Sequence, residues 1–191
     1  MGIPIVAAIC FFLVGSVNTA STQDPRATAH GTLDQLLVAL NTTEPIWMLK
    51  RSYNVSGHSC VHSVKEWLNG TYYKFTQYYV DQTNGPKSER LQAQLISANG
   101  KTEGGVMIVS KVEGSQQEMN YTLHTWIHEE KCGTLAVKDH TGVYQCEMYV
   151  WSGSVHKNLT RCNEEYNYCT MYMRQPSQDV YNNNCLPLNG C

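Results

Sequence analysis

Between Ile46 and Trp151 the chain breaks into short runs rich in Val, Ile, Tyr, Thr and Trp, most of them separated by turn residues at hairpin spacing. Eight such runs read as strands: Ile46 to Tyr53, Ser59 to Trp67, Thr71 to Val80, Glu89 to Ser97, Val106 to Val112, Met119 to Ile127, Cys132 to Lys138 and Val143 to Trp151. The separators include Asn69-Gly70, Asn84-Gly85-Pro86, Asn99-Gly100 and Thr141-Gly142, which supply the backbone freedom that tight turns need. Eight antiparallel strands in a row leave two sticky edges unless the sheet closes. Closure gives an up-and-down barrel whose interior holds one small ligand; a two-sheet sandwich is the alternative.

Helical spacing flanks this β region on both sides. Thr32 followed by Gln35 forms a capping box, and Leu33, Leu36, Leu37 and Leu40 recur at three- and four-residue intervals, so Thr32 to Leu40 reads as a short helix. After Gly153, the residues Leu159, Cys162, Tyr166 and Cys169 share one face of a second helix. The tail Val180 to Cys191 shows no clear element. The expected fold is all-β, an eight-stranded antiparallel up-and-down barrel with a short N-terminal helix and a C-terminal helix packed outside.

The first residues point to export. Ile3 to Val14 is apolar apart from Pro4 and too short to span a bilayer, and small residues follow it around Thr19 and Ala20. Residues 1–20 are expected to be a signal peptide, although it has no charged leading segment, and residues 21–191 one domain. An exported chain makes the cysteines candidates for disulfides. Cys10 leaves with the signal, and Cys60, Cys132, Cys146, Cys162, Cys169, Cys185 and Cys191 remain. This odd count leaves one thiol over, for which Cys191 at the C-terminus is the candidate; the chain is expected to be a monomer unless Cys191 pairs between molecules. No two cysteines have the close spacing of a zinc site, and no metal or cofactor is expected. Sequons begin at Asn41, Asn54, Asn69, Asn120 and Asn158, and each needs a surface position if it carries a glycan.

A formal net charge of −2, with charged residues at 16%, offers no footprint for nucleic acid or for an anionic membrane. The sequence contains no Gly-x-Ser-x-Gly elbow, phosphate-cradling glycine loop or His-Glu-x-x-His, so an enzyme is not expected. His124 and His128, at the end of a strand, read as exposed. Tyr72, Tyr73, Phe75, Tyr78 and Tyr79 crowd the third strand, where core and sheet-surface packing is the plainest role.

Alternation along the last strand puts Gln145, Glu147, Tyr149 and Trp151 on one face, with Tyr144, Cys146, Met148 and Val150 on the other. If the second set lies beneath the C-terminal helix, Glu147 points into the barrel. A carboxylate there needs a hydrogen-bond network or a cationic ligand; a solvated strand end, or a pair with Arg51 or Lys74, is the alternative. If Asn120 faces outward to carry a glycan, Tyr121, Leu123 and Thr125 face inward.

The run Cys146-Glu147-Met148-Tyr149-Val150-Trp151, followed by Cys162-Asn163-Glu164-Glu165-Tyr166-Asn167-Tyr168-Cys169, resembles the last strand and C-terminal helix of tick salivary lipocalins, the histamine-binding-protein family. Glu44-Pro45-Ile46-Trp47, Arg51-Ser52-Tyr53, His58-Ser59-Cys60 and Lys131-Cys132-Gly133 extend the likeness over most of the chain. The resemblance implies disulfides Cys60 to Cys185, Cys132 to Cys162 and Cys146 to Cys169, the last of which also suits the outward strand face meeting the helix. It implies a secreted salivary protein that sequesters a small host mediator and so counters inflammation. Glu147, Tyr149, Tyr53, Trp151 and Tyr121 are the expected ligand contacts. Amine-binding members carry further acids, but Gly133 stands where one would be and Asn54 to Ser59 contains none. A biogenic amine such as histamine or serotonin is the expected ligand, on the strength of Glu147, with a lipid mediator such as a leukotriene or fatty acid, or a host protein, as the alternative.

Overall fold

The computed structural model describes residues 31–98, 104–114, 117–138, 142–171 and 177–185. The expected signal peptide and Cys191 lie outside the described residues. A helix, α1 (Leu33–Leu40), precedes eight strands: β1 (Ile46–Arg51), β2 (His58–Leu68), β3 (Tyr72–Asp81), β4 (Gly85–Ser97), β5 (Gly105–Lys111), β6 (Met119–Ile127), β7 (Cys132–Lys138) and β8 (Tyr144–Trp151). A second helix, α2 (Thr160–Thr170), and a two-residue strand, β9 (Gln178–Asp179), follow. No helix among the described residues is long and apolar enough to cross a membrane.

Each strand from β2 to β8 pairs antiparallel with the next, and β1 pairs with both β8 and β2, which closes the barrel. That closing seam is narrow. Only Ile46 with Ser63 and Trp47 with His62 join β1 to β2 in register. Beyond them β2 bulges at Cys60, whose backbone takes a left-handed φ of 55°, and the C-terminal tail fills the gap. The Val180 N–H donates to the Leu49 carbonyl at 2.9 Å, and the Cys60 N–H donates to the Val180 carbonyl at 2.9 Å. Val180 is itself buried against Met48 and Val61. A tail without sequence periodicity is thus a seam filler, because its order comes from partners far along the chain.

The helix α1 closes one end of the barrel. Its capping box forms as expected, with the Gln35 N–H donating to Thr32 Oγ1 at 3.2 Å and the Thr32 N–H to Gln35 Oε1 at 3.0 Å. Leu36 and Leu40 point into the barrel, and the Trp151 indole N–H donates to the Ala39 carbonyl at 2.9 Å. Gly105 allows this approach: a Cβ there would lie 2.7 Å from the Thr32 carbonyl oxygen.

Outside the barrel, α2 packs across β6, β7 and β8. Cys146, Met148 and Val150 meet Tyr166, Cys162 and Cys169 in a buried cluster. Disulfides join Cys132 to Cys162, Cys146 to Cys169 and Cys60 to Cys185. No residue of α2 caps its own N-terminus; Glu130, from the β6–β7 turn, accepts the N–H groups of Arg161 (3.1 Å) and Cys162 (2.9 Å). An acid at this point also complements the helix dipole. Glu130, Cys132 and Cys162 cluster within metal-ligand distance, but both sulfurs are spent in the disulfide.

Two expectations on β6 fail, each for its own reason. His124 is fully buried instead of exposed, because α2 covers the outer face of β6 and sets Glu165 Oε2 3.6 Å from its Nε2 and the Tyr168 ring against it. Thr125 does not line the interior, because β6 shifts register between Leu123 and Thr125 and Trp126 takes its place. His128 is exposed, as expected. The fourth strand begins at Gly85, not Glu89: the β3–β4 ladder runs down to the Asp81–Gly85 pair, past the end of β5, so Pro86 sits where β4 has one neighbour.

The Cys60–Cys185 bond encloses 125 residues and holds the tail in the seam. Replacing both cysteines by alanine is expected to lower the unfolding free energy by about 2–5 kcal/mol. Denaturant titration measures this, and limited proteolysis should then release the tail before the barrel is cut; an unchanged midpoint would show that the seam holds without the bond.

Candidate functional site

Inward-facing residues of this barrel enclose two adjoining chambers. The larger, about 390 Å³, runs from α1 toward the opposite rim. Its walls are mostly apolar and aromatic, with Leu36 and Leu40 from α1, Tyr73 and Phe75 from β3, Met107 from β5, Leu123 and Trp126 from β6, and Trp151 from β8. Tyr73 stacks on Phe75 with ring centroids 4.7 Å apart, and Trp126 leans on Trp151 at 5.5 Å. At the rim, the Lys111 ammonium pairs with the Glu89 carboxylate. The volume lies in the range of small-molecule sites.

Two donors in these walls have nothing to bond. The Tyr73 hydroxyl and the Trp126 indole N–H are buried without a hydrogen-bond partner. Each such group forfeits about 1–3 kcal/mol of hydration until an acceptor reaches it. Both donors sit just beneath the chamber surface, where a ligand acceptor meets them once the ring turns toward the cavity.

A smaller, polar chamber of about 240 Å³ adjoins it, and Gln77, Glu89, Tyr121 and Tyr149 line both. Glu147 lies here, 1% exposed, facing inward as strand alternation requires. The Tyr149 hydroxyl donates to its Oε2 at 2.6 Å, and the Tyr53 hydroxyl donates to its Oε1. Burial raises the Glu147 pKa above the usual carboxylate value, against the two tyrosine hydrogen bonds and nearby Arg51, which pull it down. Burial likewise raises the Tyr53, Tyr121 and Tyr149 hydroxyls, with Glu147 adding to the effect, so all three remain protonated donors.

Arg51 is the register partner of Glu147 across the β1–β8 ladder and lines the same chamber. Its guanidinium is committed to the seam: Nε donates to Gln178 Oε1 at 2.7 Å, and one terminal nitrogen donates to the carbonyls of Val55 (2.9 Å) and His58 (3.0 Å). The polar chamber is thus lined by two carboxylates, Glu147 and Glu89, the fixed Arg51 cation and four tyrosines, Tyr53, Tyr79, Tyr121 and Tyr149.

The expected site residues separate along this division. Glu147, Tyr53, Tyr121 and Tyr149 converge on the polar chamber, while Trp151 lines the apolar one. Tyr121 and Tyr149 stand between the two. Gly133 lines the larger chamber, but a Cβ added to it would lie 2.8 Å from the Thr125 carbonyl oxygen and 3.2 Å from the Trp126 ring. The bulge that turns Trp126 inward therefore closes position 133 to an acidic side chain. Trp126, which sequence reasoning did not single out, and Tyr73, which it read as core or sheet-surface packing, both line the larger chamber. The change of parity between Leu123 and Trp126, two large apolar residues three apart in a strand, is the signal that marks the bulge.

All five sequon asparagines are exposed, Asn120 among them on the outer face of β6.

Comparison with solved structures returns barrels of this shape. Japanin from Rhipicephalus appendiculatus, solved bound to cholesterol, aligns with a TM-score of 0.52 over 77% of this chain and 98% of its own at 14% identity. H1 crustacyanin from the lobster Homarus americanus aligns at 0.50 over 82% and 89% with 11% identity, and lobster apocrustacyanin A1 at 0.50 over 80% and 87% with 8% identity. Identities this low carry the fold alone. No curated protein matches the sequence. The model of the tick histamine binding protein family matches residues 24–187, nearly the whole of the barrel with both its helices and its seam-filling tail, and the chain belongs to that family.

Proposed function

We propose that the protein is a secreted salivary lipocalin that sequesters a small, largely apolar host mediator, of the lipid or sterol class, in its larger chamber. The observation that carries this reading is a chamber of about 390 Å³ with apolar and aromatic walls and two buried donors in need of an acceptor. A ligand with an apolar body and one carbonyl, hydroxyl or carboxylate oxygen would bury its body against Phe75, Met107 and Leu123 and offer that oxygen to Trp126 or Tyr73. Japanin's cholesterol supports the ligand class by analogy. Secretion accords with three disulfides and five outward sequons.

A second reading, capture of a biogenic amine such as histamine or serotonin, rests on Glu147. An ammonium would meet a desolvated carboxylate walled by Tyr53, Tyr121 and Tyr149, where charge pairing and cation–π attraction both act. Arg51 beside it repels a second cation, the Glu89 carboxylate that also lines this chamber is already paired with Lys111, and position 133 has no room for another acid, so the apolar ligand is the better fit.

Calorimetric titration of the glycosylated protein with cholesterol, a leukotriene, serotonin and histamine distinguishes the two. The expected outcome is that a lipid-class ligand binds and that Trp126→Phe weakens it about fivefold, the equivalent of roughly 1 kcal/mol for one lost hydrogen bond. Binding of histamine alone, abolished by Glu147→Gln, would reverse the assignment.

Burial of Glu147 also predicts a pH dependence. Its folded-state pKa is raised, so ionisation opposes folding from the unfolded-state value upward, until the folded pKa is passed. Glu147→Gln is therefore expected to be at least as stable as the wild type at pH 7, with the advantage fading below about pH 4, where the carboxyl is neutral in both states. Urea unfolding at the two pH values measures this. A variant less stable at pH 7 than at pH 4, relative to wild type, would mean the ionised carboxylate stabilises the fold.

A further inference from the structure

The tip of the β2–β3 hairpin carries the sequence Trp67-Leu68-Asn69-Gly70-Thr71-Tyr72, a sequon set between two aromatic residues. Register fixes where their side chains stand. Leu68 pairs with Tyr73, and Tyr73 is buried in the barrel, so both belong to the inner face. Trp67 pairs with Lys74 on the opposite, outer face, and Asn69 and Tyr72 follow on that same face by alternation. Asn69 thus lies two residues from Trp67 along one strand and opposite Tyr72 on the next, with cross-strand Cβ atoms roughly 5 Å apart. Both rings are about half exposed, Trp67 at 48% and Tyr72 at 50%, and they are two of the four large aromatic side chains exposed among the described residues.

The tip is also rigid. Asn69 Oδ1 accepts the N–H groups of Thr71 (2.8 Å) and Tyr72 (2.7 Å), and the Asn69 N–H donates to the Tyr72 carbonyl at 3.0 Å. The Leu95 N–H donates to the Thr71 carbonyl at 2.6 Å, which ties the turn to β4. These bonds use the carbonyl oxygen of the Asn69 amide and leave Nδ2 as the atom that takes a sugar. Glycosylation preserves that carbonyl, so the turn survives it.

We propose that Asn69 carries an N-linked glycan whose first N-acetylglucosamine is seated on Trp67 and Tyr72, and that this contact stabilises the hairpin. In the modification, Nδ2 bonds to C1 of the sugar, the bond from C1 to the polyprenyl diphosphate of the secretory-pathway donor breaks, the diphosphate leaves, and one amide proton passes to a base. A pyranose ring presents a face of C–H groups, and the electron-rich faces of indole and phenol are its natural complement. Rings that would otherwise remain an exposed apolar patch gain a covalently tethered cover. The tether removes the translational penalty of binding, so even a weak contact is populated.

The test is a double-mutant cycle in protein secreted from a eukaryotic host. Thr71→Ala removes the sequon but keeps Asn69 and its turn bonds, and Trp67→Ala removes the platform. With the glycan present, Trp67→Ala is expected to lower Tm by about 2–4 °C more than it does in the Thr71→Ala background. In wild-type protein the protons of the first N-acetylglucosamine should be shifted upfield by the indole ring current, and Trp67→Ala should abolish that shift. The ring-current measurement stands even if the alanine variant is too unstable for comparison, because Trp67→Leu removes the ring and keeps apolar bulk. Equal Tm losses in both backgrounds, unshifted sugar protons, or peptide mapping that shows Asn69 unmodified would overturn the proposal.

Discussion

The barrel stands or falls on its seam between β1 and β2. Seven of the eight junctions around the sheet are ladders of four or more register pairs, but this one has two. Left open below Trp47, it would expose the backbone of Leu49 and Cys60 and admit water to the interior. Val180 bonds to both strands at once, and the Cys60–Cys185 disulfide fixes the tail that carries it. The left-handed turn at Cys60 is the local deformation that lets the tail in.

The polar chamber is built on this repair. Gln178, on the inserted tail, accepts from Arg51 Nε and from the Val55 N–H, so the tail also orients the guanidinium that faces Glu147. Arg51 is nearly fully buried, and its hydrogen bonds to three acceptors are what make a buried cation tolerable. Seam, cation and carboxylate form one connected arrangement, whereas the apolar chamber draws its walls from α1 and from strands all around the barrel, Ile46 of β1 and Trp151 of β8 included. The two compartments meet at a wall shared by Gln77, Glu89, Tyr121 and Tyr149.

Much of this was legible because local chemistry and global fold agree along most of the chain. The capping box at Thr32, the turn at Asn69-Gly70 and the alternation through Glu147 each depend on neighbours within a few residues. The unread parts depend on distant ones. Val180 and Gln178 are ordered by β1, so no period announces them. His124 is buried by a helix that follows it by more than thirty residues. Trp126 faces inward because a bulge reverses parity, and strict alternation assigns that place to Thr125. The closed space at Gly133 is a consequence of the same bulge, visible only once the Thr125 carbonyl is placed.

A hollow interior gives up packing that a solid core would keep, and the dispersion and transfer energy lost around an unfilled chamber is on the order of several kcal/mol. The compensating core is outside the barrel. Tyr166, Met148, Val150, Ile127 and Leu159 gather with the Cys132–Cys162 and Cys146–Cys169 disulfides between α2 and the outer wall of β6 to β8. Each fully buried large apolar side chain there contributes about 1.5–3 kcal/mol. The exterior layer thereby carries a share of the stability, beside a second buried cluster of Leu91, Leu95, Met107 and Leu123 that packs around the chamber inside the barrel. That division of the packing explains how the interior tolerates an uncompensated Tyr73 hydroxyl and Trp126 indole: the cost of two unbonded donors inside is offset by a disulfide-stapled core outside.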